Sequence, residues 1–179
     1  MERIGVFLSS KDNVPESYKA AAHEVGRWIG QSGRTLVYGG SASGLMEEIA
    51  RSVKESGGRV FGVIPQIVCD RGLESSQIDI TFYCNDLGDR KSTMMRESEL
   101  FVALPGGIGT VDEVMTVIAT GTIGMGRKTV VLYNVDGCWD SLLAFINNSI
   151  ERGLTDKAVM NHIKVATTTQ QLEEIARQG

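Results

Sequence analysis

Leu100-Phe101-Val102-Ala103-Leu104-Pro105-Gly106-Gly107-Ile108-Gly109-Thr110-Val111-Asp112-Glu113 joins an apolar run, a glycine turn and the start of a helical period. A continuous apolar run reads as a strand buried on both faces, as in a parallel sheet sandwiched between helices. The turn then falls at the strand's carboxyl end, where backbone N–H groups at a helix start can meet a phosphate. The chemistry is expected at this junction.

Working outward, the same alternation of strand and helix recurs along the chain. Residues 4–8 form an apolar run that breaks at the polar Ser9-Ser10-Lys11-Asp12-Asn13. From Pro15, Tyr18, Ala22, Val25 and Ile29 recur at helical spacing, Trp28 extends the stripe, and Gly33 suits a left-handed cap. Residues 35–38 are a second strand, entering Gly39-Gly40-Ser41-Ala42-Ser43-Gly44 before Leu45, Met46, Ile49, Ala50 and Val53 resume the helical period. Gly39 and Gly44 have the outer spacing of a P-loop, but Leu45 and Met46 stand where Lys and Ser/Thr are required. Backbone anion binding and a simple tight turn both stay open for this segment.

A third strand at 59–64 ends at Pro65, and 66–77 is a polar connection without clear period. Residues 78–83 read as an edge strand. A helix begins around Asp89-Arg90-Lys91-Ser92 and packs through Leu87, Met94, Met95 and Ser98. Strand five covers 100–104, and Val111, Val114, Met115 and Ile118 form the buried stripe of a helix ending at Gly121. After a loop at 124–128, strand six covers 129–133. Asp140 is the expected N-cap of a helix carrying Leu143, Ile146 and Ile150, closed by Gly153. Strand seven at 163–166 precedes a helix over 169–177 packed through Leu172 and Ile175. The fold class is therefore α/β: a Rossmann-like doubly wound parallel sheet of about seven strands, helices on both faces, in one domain over 1–179.

Composition narrows the function. The chain has 179 residues, of which 42% are hydrophobic, enough for a sizeable core. No apolar run spans a bilayer and none resembles a signal peptide, so a soluble, cytoplasmic protein with no membrane partner is expected. The formal net charge of -4 argues against a nucleic-acid polymer while leaving room for a small anion. Cys69, Cys84 and Cys138 have neither disulfide nor zinc spacing, and no metal is expected. The two histidines, His23 and His162, are far apart and no G-x-S-x-G elbow is present, which disfavours a Ser/His/Asp hydrolase.

Two readings compete at the opening stretch. Thr110-x-x-Glu113 has capping-box spacing, in which the threonine hydroxyl bonds an early helical amide and the glutamate reaches back. Alternatively, a phosphate sits on the turn amides and Glu113 faces the adjoining sugar. Arg90 and Lys91 are either a solvated helix face or a fork and a point charge reaching the same crevice. Asp112, Glu47 and Glu48 are most simply helix-start charges favoured by the macrodipole.

Pro105-Gly106-Gly107-Ile108-Gly109-Thr110-x-x-Glu113, with Arg90-Lys91, Tyr38-Gly39-Gly40 and Gly44-Leu45-Met46, resembles the LOG family, the cytokinin riboside 5'-monophosphate phosphoribohydrolases once labelled lysine decarboxylases. The resemblance runs from the first strand to Asn134-Val135-Asp136-Gly137. It implies a Rossmann-like homodimer in cytokinin biosynthesis, hydrolysing the N-glycosidic bond of a purine or N6-modified adenine nucleoside 5'-monophosphate to free base and ribose 5-phosphate. It places catalytic roles on Arg90 and Glu113. Substrate-binding roles fall on Ser9, Gly39, Gly40, Glu74, Lys91 and the turn Gly106, Gly107, Ile108, Gly109 and Thr110. Several neighbouring residues differ from the family's usual ones: Phe7-Leu8, Ser41-Ala42, Glu47, Asp89, Thr116, Ile118-Ala119 and Thr122.

The residue types suit that chemistry. Breaking an N-glycosidic bond develops positive charge on the ribose, which a fixed carboxylate stabilises, attacks or relieves by activating water. No cofactor is needed, and no convincing set of residues for a Schiff-base lysine and its ring partners stands out. The alternative is a non-catalytic carrier of a phosphorylated ligand, resembling molybdenum cofactor carriers.

Overall fold

The computed structural model describes residues 1–124 and 128–178. Seven parallel strands form one sheet: β1 (Arg3–Phe7), β2 (Thr35–Tyr38), β3 (Arg59–Pro65), β4 (Ile80–Cys84), β5 (Leu100–Ala103), β6 (Val130–Tyr133) and β7 (Ile163–Ala166). Their order is β4-β3-β2-β1-β5-β6-β7. Register is continuous through the centre, with Gly5 opposite Val37 on one side and opposite Phe101 on the other.

The chain steps from β1 outward to β4, then jumps back across β1 to β5 and continues to β7. With crossovers of one hand, this reversal puts the helices of the two halves on opposite faces. Helices α1 (Glu16–Gln31) and α2 (Gly44–Glu55) cover one face; α4 (Leu87–Glu97), α5 (Ile108–Thr122) and α6 (Asp140–Glu151) cover the other. The last helix, α7 (Thr169–Gln178), returns to the first face through Leu172 and Ala176. Strand side chains alternate accordingly: Ile4 and Val6 of β1 enter the first core, Phe7 the second, where it stacks on Phe101 at 4.9 Å between ring centroids.

The strand–helix alternation expected from periodicity is present, with adjustments at the ends. Gly33 caps α1 at φ +71° as its spacing requires. The connection after β3, expected to lack a period, opens with a one-turn helix, α3 (Gln66–Cys69). It then straps over the turn after β2: Ala42 donates its N–H to Leu73, Ser75 donates to Gly40, and Ser41 bridges Glu74. A short-range period could not reveal this, because the partners lie in separate loops, one after β2 and one after α3.

Three local expectations are corrected. Leu87, expected in the packing stripe of α4, is 64% exposed because it occupies the helix's first position, at the mouth of a cleft. Asp140 is the first residue of α6 instead of its N-cap; Asn134 Oδ1 accepts the Trp139 N–H and Asn134 Nδ2 donates to Asp140. A 3-10 segment, Lys157–His162, precedes β7 where none was expected. Of the loop expected at 124–128, positions 125–127 lie outside the described residues. No helix among the described residues is long and apolar enough to cross a membrane.

Candidate active site

The strand order reverses between β1 and β5, and the crevice outside the carboxyl ends of those strands is where an open α/β sheet presents a site. A cleft of about 310 Å³ opens there. Ser9 and Lys11 line it from the loop after β1, Met46 from α2, Arg90 and Lys91 from α4, and Gly107, Thr110 and Glu113 from α5.

The floor is the turn after β5. Leu104 donates its N–H to Phe7 O and Ser9 donates to Pro105 O, so the ends of β1 and β5 are tied together. Gly106 is required by close approach: a Cβ there would stand 2.0 Å from Thr110 Oγ1. At Gly107 and Gly109, by contrast, a Cβ would meet no protein atom within 4 Å. The protein's own packing does not need glycine at these two positions; the space they leave adjoins the cleft. Gly107 is the N-cap of α5 and contributes no side chain, so amides of the first turn lack an intrahelical partner. Ile108, 88% exposed, stands at the rim.

Glu113 lies on the second turn of α5, with a side chain only 7% exposed. The helix begins at Ile108, so Thr110 and Glu113 are both interior to it, and of the two readings the capping box does not form. Glu113 instead turns toward α4. Arg90 Nη1 donates to Glu113 Oε1 at 2.6 Å, and Arg90 Nε donates to the Val63 carbonyl of β3 at 3.1 Å. Burial pushes the Glu113 carboxyl above the usual glutamate range, while the Arg90 charge and hydrogen bond pull it back; the net direction is upward. Such a displaced carboxyl in a cleft is typical of functional sites.

Arg90 is delivered by a helix start built for it. Asp86 is the N-cap of α4 and accepts the Asp89 N–H at 2.8 Å, while Asp89 reaches back to the Asn85 N–H at 3.0 Å. A cap close to the capping box thus forms here, with Asp89 bonding the amide of Asn85 one residue before the N-cap. Lys91, the next residue, contacts both oxygens of Asp112 at 2.9 Å across the rim.

The sequence-derived site residues thus divide. Arg90, Lys91, Glu113, Ser9, Gly107, Ile108, Gly109 and Thr110 line the cleft together. Gly106 lies beneath Thr110, and Gly39 lies behind the Arg90 guanidinium. Gly40 faces Ile64 at φ +80°, and Glu74 lies on the strap, paired with Ser41 and outside the cleft lining. Val63 and Met46 also belong to the site, and neither is singled out as a site residue by the sequence. Val63 acts through a backbone carbonyl that no side-chain pattern reports; Met46 reads as one more apolar position of α2. Asp86 is likewise not among the sequence-derived residues, although Asp86-x-x-Asp89 before the helix is a readable cap. Among the described residues no group of three or more His, Cys, Asp or Glu could hold a metal ion.

Comparison with known proteins adds to this geometry. The family described as "Possible lysine decarboxylase" matches residues 46–175. The probable cytokinin riboside 5'-monophosphate phosphoribohydrolase LOGL5 of Oryza sativa subsp. japonica is 38% identical over 170 residues, covering 95% of this chain and 69% of that protein. The cytokinin riboside 5'-monophosphate phosphoribohydrolase LOG3 of Arabidopsis thaliana is 36% identical over 170 residues, covering 95% and 79%. Among solved structures, the molybdenum cofactor carrier protein of Chlamydomonas superposes with a TM-score of 0.72 at 26% identity, covering 99% of this chain and 96% of that one.

Proposed function

The chain belongs to the LOG family, once described as possible lysine decarboxylases, and from that membership and the cleft we propose that it hydrolyses the N-glycosidic bond of a nucleoside 5'-monophosphate. The products are the free base and ribose 5-phosphate. The observation that carries this reading is the buried Glu113 carboxyl paired with Arg90 beside the open first turn of α5.

In this reading the phosphate rests on the first-turn amides of α5, in the space left at Gly107 and Gly109, with Lys91 exchanging Asp112 for the phosphate. Holding the phosphate fixes the ribose, so binding energy remote from the reacting bond lowers the barrier. As the C1′–N bond breaks, its electron pair leaves with the base and positive charge grows on the sugar ring. Glu113 faces that charge. Only its Oε1 is taken by Arg90, so the other oxygen is available to the oxocarbenium carbon or to the attacking water. Arg90 holds the carboxylate in place and offsets the tendency of burial to protonate it.

The relatives' names support cytokinin nucleotides, and hence an N6-modified adenine base, as substrate. We place the protein in the cytoplasm as a homodimer; its unpaired Cys69, Cys84 and Cys138 suit a reducing compartment. A second reading, a carrier that binds a phosphorylated ligand and leaves it intact, is favoured by the likeness to the Chlamydomonas molybdenum cofactor carrier. One experiment separates the two: incubate the purified protein with AMP and N6-isopentenyl-AMP, denature it, and identify the ligand by mass spectrometry. Free base with ribose 5-phosphate supports the hydrolase; intact ligand at high protein concentration after long incubation overturns it.

A further inference from the structure

We propose that Gly39 is a positioning residue: the absent side chain at the carboxyl end of β2 is what allows the Arg90 guanidinium to hold Glu113. A Cβ built on Gly39 would stand 2.2 Å from Arg90 Nη2, and 3.1 Å and 3.3 Å from Met46 Cε and Sδ. No heavy atoms pack that closely, so either the arginine or the strand end must shift.

The arginine has little freedom to absorb the shift. Its guanidinium is a rigid planar fork, so its nitrogens move together. Nε is anchored on Val63 O at 3.1 Å and Nη1 on Glu113 Oε1 at 2.6 Å. The side chain is 13% exposed and borders the cleft, so it can swing aside only by giving up these two anchors. Moving Nη2 away by roughly 1 Å stretches at least one anchor past hydrogen-bond range. Gly39 itself is not among the glycines with positive φ, so its backbone accepts a side chain without strain. Its neighbour serves a different end: Gly40 has φ +80° and its Cβ direction points at Ile64, on the other side of the strand. The pair Gly39-Gly40 thus combines an arginine clearance with a packing turn, and neither residue lines the cleft.

The proposal rests on the reading above for the use made of Glu113, but the geometry stands without it. The test therefore reads the carboxyl directly. Glutamate is labelled at its side-chain carboxyl with carbon-13, the Glu113 signal is assigned by its loss in Glu113→Gln, and its titration is followed by NMR. The groups that bear on Glu113 are Arg90 and Lys91 from α4 and Asp112 from its own helix. Gly39→Ala is expected to move the Glu113 titration upward by about 1 pH unit, as loss of a close positive partner does. In the Arg90→Ala chain the same substitution is expected to move it no further. For AMP, kcat is expected to fall about 100-fold with KM within about twofold, because the displaced group serves the reacting bond and not the phosphate.

An unchanged titration in Gly39→Ala overturns the proposal, as does an equal further shift in the Arg90→Ala background. If the titration moves as expected while the unmutated protein releases no base, the positioning role stands and the hydrolase reading falls. If Gly39→Ala alone fails to fold, folding restored by adding Arg90→Ala supports the clearance, and continued failure overturns it.

Discussion

Arg90 and Glu113 are 23 residues apart in the chain, on different helices, and meet at 2.6 Å, with Glu113 buried and Arg90 13% exposed. Between them run the whole of β5 and the glycine turn, so the pair forms only once the sheet has placed α4 and α5 on the same face. A guanidinium drawn to a buried carboxylate takes it away from the local backbone role that its spacing suggests.

Replacing Glu113 by Gln keeps an acceptor for Arg90 and removes the charge. Turnover of a nucleoside monophosphate is expected to fall by at least about 100-fold, with nucleotide binding retained. Steady-state kinetics beside calorimetric binding of AMP checks this. A fully active Glu113→Gln would remove the carboxylate from the reaction.

The raised titration of Glu113 has a definite sign in stability. A carboxyl whose folded pKa lies above its unfolded value contributes most below the ordinary glutamate range, and the contribution is lost as pH rises through the folded value. Thermal unfolding of the unmutated protein should therefore lose ground to Glu113→Gln as pH is raised from 4. The acid limb of kcat/KM should also lie above the ordinary glutamate pKa, and an acid limb within that range would contradict it.

Lys91 sits at the rim, 25% exposed, facing Asp112 at 54%. Lys91→Ala is expected to raise KM for AMP about tenfold, near 1.4 kcal/mol, with little change in kcat. The loss should shrink as salt is added. Because the ion pair is solvated, unfolding free energy should change by less than about 1 kcal/mol.

Far from the cleft, Glu173 of α7 accepts from Arg34, Arg177 and Trp28, and these bonds hold its pKa down to about 2. A depressed carboxyl stabilises above its unfolded pKa, and its contribution is lost as pH falls toward the folded value. Glu173→Gln should cost about 1 kcal/mol at neutral pH, after allowance for solvent at the pair, and progressively less below pH 4.5. Denaturant titration at several pH values measures it, and turnover should be unaffected.

Much of the fold was legible because it is written in local period. The apolar run before Pro105, the helical stripe Val114 and Ile118 after it, and Gly33 closing α1 each report one element from its own residues. The strap over the β2 turn was not legible, since Ser41 and Glu74 pair between two separate loops and have no common period. The cap of α4 is legible in Asp86-x-x-Asp89, whereas Thr110-x-x-Glu113 has the same spacing and forms no cap, because it lies inside α5.

The amino-acid sequence by itself determined the alternation of strands and helices, the glycine turn after β5 and the residue types available to the cleft, because each depends on backbone preference and near-neighbour spacing. Tertiary structure alone decided which partner each charged group takes. Glu113 has a capping geometry within reach in sequence and the Arg90 guanidinium within reach in space. At a carboxyl only 7% exposed the full opposite charge outweighs an amide. That choice requires β3 to supply a carbonyl, β2 to withhold a side chain at Gly39, and the β4-to-β5 crossover to bring α4 beside α5, none of which a short stretch of chain contains.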